Sequence, residues 1–116
     1  MNQLTGKIPT ELADLNLLGR LRLSKNKLSG HIPTAIFSRG ILDAPLMYLD
    51  LGENSMSGPI PTEVGLMSGT YLFLNDNALT GTLPKELFEA YKVTFLHLEN
   101  NPKVGECHHV ISFIPF

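Results

Sequence analysis

The sequence predicts an α/β repeat solenoid, a coil of short turns with a parallel sheet along one side. Three observations carry this. An eight-residue phrase occurs four times: NQLTGKIP from Asn2, NKLSGHIP from Asn26, NSMSGPIP from Asn54 and NALTGTLP from Asn77. The copies are regularly spaced, their Asn residues standing 24, 28 and 23 positions apart, and Asn101 follows 24 later where the phrase decays to NPKVGEC. Upstream of four of these Asn residues runs a second signal, L-x-L-x-x-N: Leu21, Leu23, Asn26; Leu49, Leu51, Asn54; Leu72, Leu74, Asn77; Leu96, Leu98, Asn101. A domain with one folded core has no reason to repeat a phrase. A solenoid does, because each turn solves the packing problem of the turn before.

Each part of the repeat has a physical reason. Alternating leucines make a short strand with one apolar face. The Asn lies just past that strand, where the chain turns. Its amide can bond backbone groups of its own turn and the neighbouring one, so Asn26, Asn54, Asn77 and Asn101 are expected to form a buried ladder. The Gly of the phrase permits backbone angles that other residues resist. The Pro ends local pairing and opens the returning segment.

The composite pattern L-x-x-L-x-L-x-x-N-x-L-[ST]-G-x-[IL]-P resembles the plant-type leucine-rich repeat (LRR), over roughly residues 2–104. The resemblance implies a leucine-rich-repeat horseshoe arc. Its concave side would be a parallel β-sheet, its convex side short helical or 3₁₀ turns, with a second short strand around L-[ST]-G-x-[IL]. It further implies a receptor-like protein or receptor-kinase ectodomain that binds proteins, peptides or glycans, and hence an extracellular or cell-surface place.

The stretches 10–18, 33–42, 62–67 and 84–90 follow the prolines and carry apolar residues at rough helical spacing. PTEL, PTEV and PKEL put a Glu early in the turn, where a helix N-terminus favours negative charge. Short convex helices covering the inner core are expected. The second repeat holds about four additional residues within SRGILDAP, 38–45, read as a harmless bulge because loops tolerate length changes cheaply.

Length and composition indicate one domain over 1–116, of about four repeats with the first partial, and a cap-like tail over 102–116. Net charge is −2 with 17% charged residues and no basic run, which argues against nucleic acid. No apolar stretch approaches the length of a membrane span. Residues 1–18 read as an ordinary repeat rather than a signal peptide. No N-x-[ST] sequon occurs, and the single Cys107 cannot make an intrachain disulfide.

Met1 falls in mid-repeat, so the chain reads as a fragment of a longer array whose first strand, near Arg20, is an open edge. Arg20, Arg22 and Lys25 there would discourage edge pairing. In the tail, Asn101, Pro102 and Cys107 resemble the start of the family's Cys-containing cap, without a partner Cys. Val110, Ile111, Phe113 and Ile114 are expected to cover the end of the core; the alternative is a disordered terminus.

With Leu21 and Leu23 facing inward, Arg20, Arg22 and Ser24 face out on the concave sheet. The same register gives one column of Arg20, Tyr48, Tyr71 and Phe95, and a second of Arg22, Asp50, Phe73 and His97. Ser24, Gly52, Asn75 and Glu99 follow, and Lys25, Glu53, Asp76 and Asn100 lie past the strands. Neighbours in a column stand roughly 4.8 Å apart. Four aromatics cluster here and folding does not require them here. An exposed aromatic stripe flanked by charge suits peptide and sugar ligands; the plainer explanation is that aromatics favour strands and stack across them. Charge runs from basic (Arg20, Arg22, Lys25) to acidic (Asp50, Glu53, Asp76, Glu99), which could orient a bipolar peptide or be only solvated surface.

No nucleotide, phosphate or hydrolase motif is present, and no cofactor is implied. Ser24 and Lys27 spell S-x-x-K on a strand entering a turn, without companion motifs. Glu106, Cys107, His108 and His109 are the one metal-like cluster, but adjacent residues of an extended tail point alternately, short of the four ligands of a closed zinc site. His31 and His97 read as surface residues rather than metal ligands. The expectation is a non-catalytic recognition module with Arg20, Arg22, Tyr48, Asp50, Tyr71, Phe73, Asn75, Phe95 and His97 facing the ligand. The alternative is an assembly piece that self-associates through its open ends.

Overall fold

The computed structural model describes residues 2–14, 19–37, 46–66, 70–88 and 93–105. Among the described residues the repeats form nine short strands: β1 (Thr5–Lys7), β2 (Arg20–Arg22), β3 (Lys27–His31), β4 (Tyr48–Asp50), β5 (Ser55–Pro59), β6 (Thr70–Phe73), β7 (Ala78–Gly81), β8 (Val93–His97) and β9 (Lys103–Val104). The even-numbered strands come from the L-x-L segments and pair in parallel in the order β2-β4-β6-β8. The odd-numbered strands come from the phrase and pair in parallel in the order β1-β3-β5-β7-β9. Parallel neighbours need a crossover, and here each crossover is the remainder of one coil. This is the solenoid the repeats predict, with the even-numbered strands as its concave sheet.

The returning segments are 3₁₀ turns rather than α-helices: Thr10–Asp14, Thr34–Ile36, Thr62–Leu66 and Lys85–Phe88. Each is too short to repay α-helix nucleation. The Pro of the phrase supplies the first acceptor every time. Pro9, Pro33, Pro61 and Pro84 carbonyls take the N–H three residues on, from Leu12, Ile36, Val64 and Leu87, at 3.2, 3.4, 3.1 and 3.1 Å. The additional residues 38–45 and the tail from 106, with Val110, Ile111, Phe113, Ile114 and Cys107, lie outside the described residues.

The asparagines peg each turn to the one before. Asn77 Oδ1 accepts the N–H of Met56 at 2.8 Å, while its Nδ2 donates to Leu51 O at 2.9 Å in the preceding turn and to Leu74 O and Asn75 O in its own. Asn101 repeats the pattern with Leu79 N and Leu74 O, and Asn54 with Leu28 N and Leu23 O. Asn26 accepts from Leu4 N and donates to Leu23 O and Ser24 O. Asn26, Asn77 and Asn101 are buried; Asn54 is only partly so.

Two backbone positions per turn are left-handed. One is the Gly of the phrase: Gly6, Gly30, Gly58 and Gly81 have φ between 79° and 84°. The other is the residue before the ladder Asn: Lys25, Glu53, Asp76 and Asn100, with φ between 56° and 64°. The core lies between the two sheets and the 3₁₀ turns. Leu49, Leu51, Leu72, Leu74, Leu96 and Leu98 face it from the concave sheet, Leu28, Met56, Leu79 and Val104 from the other, and Ile36, Val64 and Leu87 from the turns. Leu21, on the edge strand β2, and Leu23, just past it, are only half-buried.

Candidate ligand-binding face

Pairing register sets the outer surface of the concave sheet. Arg20 pairs with Tyr48, Tyr48 with Tyr71, and Tyr71 with Phe95. Arg22 pairs with Asp50, Asp50 with Phe73, and Phe73 with His97. Both columns therefore run unbroken across four strands. Period-2 alternation turns the leucines between them into the core, which leaves these side chains outside.

The rings form a continuous two-column array. Down the first column Tyr48 stacks on Tyr71 at 5.9 Å between centroids, and Tyr71 on Phe95 at 6.0 Å. In the second, Phe73 stacks on His97 at 5.0 Å. Across the columns Tyr48 meets Phe73 at 5.5 Å and Phe95 meets His97 at 4.8 Å. His97 is thus a fifth ring of the array. Tyr71, at its centre, is 44% exposed. Met47, 52% exposed, stands beside Tyr48 and Tyr71 and is absent from the sequence expectation because it precedes the strand.

Charge frames the rings. The Arg20 guanidinium lies 4.7 Å from the Tyr48 ring centroid and that of Arg22 5.9 Å, both cation–π contacts. At the other side His97 Nδ1 stands 3.1 Å from Glu99 Oε2, a hydrogen-bonded contact that is an ion pair only with His97 protonated; the described residues contain no other acid–base contact of this kind. Arg22 and Asp50 are register partners without being an ion pair, so both charges stay open to a ligand. Asp50 Oδ1 accepts the Gly52 N–H at 3.0 Å, which fixes its direction. Asn75 lies just past β6 and is tied by its Nδ2 to Asp76 Oδ2 at 2.7 Å. All nine residues expected to face a ligand lie on this side of the sheet or at its rim.

Among the described residues no group of three His, Cys, Asp or Glu side chains could hold a metal ion. The cluster Glu106, Cys107, His108, His109 lies outside them. Also among the described residues, no helix is long and apolar enough to cross a membrane.

Parallel strands pegged by asparagine, turned by 3₁₀ segments and bare on one sheet define a repeat solenoid that exposes a ring-lined concave face. Residues 18–38 match the family model described as Leucine Rich Repeat. Receptor-like protein 35 of Arabidopsis thaliana is 37% identical over 100 residues, 86% of this chain and 10% of that protein. Among solved structures, the plant peptide hormone receptor RGFR1 in complex with RGF2 superposes with a TM-score of 0.77 at 35% identity, over 90% of this chain and 16% of that one. The ectodomain of the Arabidopsis receptor kinase HAESA, in complex with an IDA peptide hormone ligand, gives 0.75 at 33% identity, over 90% of this chain and 17% of that one. The chain belongs to the plant-type leucine-rich-repeat family. It spans about a tenth of the length of the first relatives it matches.

Proposed function

We propose that this chain is a non-catalytic recognition module of an extracellular receptor-like protein, and that it holds a peptide on its concave sheet. The observation that carries this is the two-column array of Tyr48, Tyr71, Phe73, Phe95 and His97, which lies on the solvent side of a sheet whose other side already supplies the core. Aromatic surface supplies binding area at low conformational cost, and charge at both ends sets direction. The peptide complexes of RGFR1 and HAESA support peptide over glycan as ligand.

Selection of a random linear-peptide phage library on the chain tests the proposal, with a soluble oligosaccharide array alongside. The expected outcome is recovered peptides whose affinity falls at least ~100-fold on the Tyr71→Ala/Phe73→Ala double variant, since hot-spot aromatics commonly carry about 2 kcal/mol or more each. Circular dichroism of the variant should be unchanged. Equal affinity for wild type and variant removes the concave face as the site; binding of oligosaccharides alone replaces peptide with glycan.

A second reading, self-association, is favoured by the open edges of the two sheets at β1 and β2. Leu4 there is 54% exposed, and Leu21 and Leu23 are only half-buried. Unpaired strand edges recruit other strands. Light scattering that shows a monomer across a concentration series eliminates it.

A further inference from the structure

The second sheet, β1-β3-β5-β7-β9, forms the flank of the solenoid, and its outer side is chemically unlike the concave face. Leu28, Met56, Leu79 and Val104 turn from these strands into the core, so the residues beside them face solvent. A hydroxyl holds the same place in four successive turns: Thr5, Ser29, Ser57 and Thr80. Among the described residues none of these four side chains is engaged in a hydrogen bond. Lys7, Lys27 and Lys103 stand on the same strands, exposed and outside any ion pair among the described residues. The five strands carry no Asp or Glu, and no Phe, Tyr or Arg.

Acids border this strip on both sides. Along the lip, Glu53 and Asp76 come shortly before β5 and β7. Along the convex side, Glu11, Glu63 and Glu86 lie in the first turns of the 3₁₀ segments. The flank is thus a narrow track, hydroxylated and basic, between two acidic margins. Part of it is set in advance. The Lys7 stem lies over the bare backbone of the next turn, its Cγ 3.0 Å from where a Cβ on Gly30 would stand. A cation seated before its ligand arrives loses less freedom on binding.

We propose that the flank is a binding track for a linear acidic polysaccharide, a chain of uronate sugars lying across the strands. Hydroxyls that recur at strand spacing, roughly 4.8 Å, offer successive sugars a donor and an acceptor each. The sugar carboxylates meet Lys7 and Lys27 at one end of the track and Lys103 at the other. The acidic margins repel a polyanion that strays sideways, so a single thin chain is favoured over a broad anionic surface. An acidic peptide suits the track less well. Protein partners anchor chiefly through aromatic and Arg contacts, and this sheet provides none.

The test titrates the chain calorimetrically with oligogalacturonate, with the fully methyl-esterified oligomer and with poly-glutamate. Oligogalacturonate is expected to bind, and the neutral ester and poly-glutamate at least ~10-fold more weakly. Lys7→Gln/Lys27→Gln should weaken the oligogalacturonate ~10-fold. Ser29→Ala/Ser57→Ala should weaken it as well, which a purely electrostatic attraction would not show. Lys85→Gln, on the convex side, and Tyr71→Ala/Phe73→Ala, on the concave face, should leave it unchanged. Equal binding of the ester, or an equal loss on Lys85→Gln, overturns the track. Poly-glutamate bound as tightly as the uronate overturns the polysaccharide as its occupant. Uronate binding lost on Tyr71→Ala/Phe73→Ala instead moves the ligand to the concave face and also overturns the track.

Discussion

At the scale of single residues, the glycine of the phrase has two separable duties. Its left-handed φ costs a side-chain-bearing residue about 1–2 kcal/mol. It also leaves room for a neighbour: a Cβ on Gly58 would stand 2.5 Å from the His31 ring, whereas a Cβ on Gly6 meets nothing within 4 Å. Gly6→Ala should therefore show the backbone cost alone in urea unfolding, and Gly58→Ala more. His31→Ala in the same chain should recover the excess but not the rest. The residue before the ladder Asn is also left-handed, yet only Asp76 and Asn100 are of types that tolerate this well. Glu53→Gly is expected to raise stability by about 1 kcal/mol. The glycines were legible in the sequence because one residue type recurs at one place. The second left-handed position was not, because Lys, Glu, Asp and Asn share no propensity that marks it, and the turn imposes the conformation.

At the scale of elements, the ladder asparagine joins what the two sheets cannot join themselves. Asn77→Ala would strip the partner from Met56 N–H and leave Leu51 O with Asn54 Nδ2 alone, both in the preceding turn. A buried group left unpaired costs about 1–3 kcal/mol, and a loss of about that size is expected from denaturant midpoints. The two faces of β6 should respond differently to truncation. Leu72→Ala removes a side chain with no exposure and should cost about 2–5 kcal/mol. Tyr71→Ala gives up stacking on Tyr48 and Phe95 and should cost about 1 kcal/mol. The strands were legible because a two-residue period admits one register against a core. The 3₁₀ character of the returning segments was not, since Thr34–Ile36 or Lys85–Phe88 reads equally as the start of an α-helix until the Pro carbonyl is seen to bond three residues on.

At the scale of the whole molecule, the candidate face is the sum of residues that no single turn contains. The columns Arg20, Tyr48, Tyr71, Phe95 and Arg22, Asp50, Phe73, His97 follow from the repeat period once strand register is known. That part of the site could be read from the sequence. The membership of His97 in the ring array could not, because it depends on how the side chain leans between turns. A ligand that spans several turns should also bind them to one another. Saturating peptide is therefore expected to raise the unfolding midpoint, by about 2.7 kcal/mol of added stability at a hundred times its Kd. It should also narrow the differences in hydrogen exchange between turns, which in a nearest-neighbour solenoid otherwise open separately. No midpoint shift at saturation would mean that the peptide does not prefer the folded chain, and a shift without that narrowing would mean that it engages one turn alone.

The variable residue of each phrase rests against the glycine of the next turn: Lys7 against Gly30, His31 against Gly58, Pro59 against Gly81. A long flexible cation, a flat ring and a rigid pyrrolidine all fit the same socket. A grafted or duplicated turn thus needs to bring only its own glycine to seat on whatever precedes it. The flank is a tolerant coupling: the variable residue of the phrase can change from turn to turn while the glycine opposite it stays.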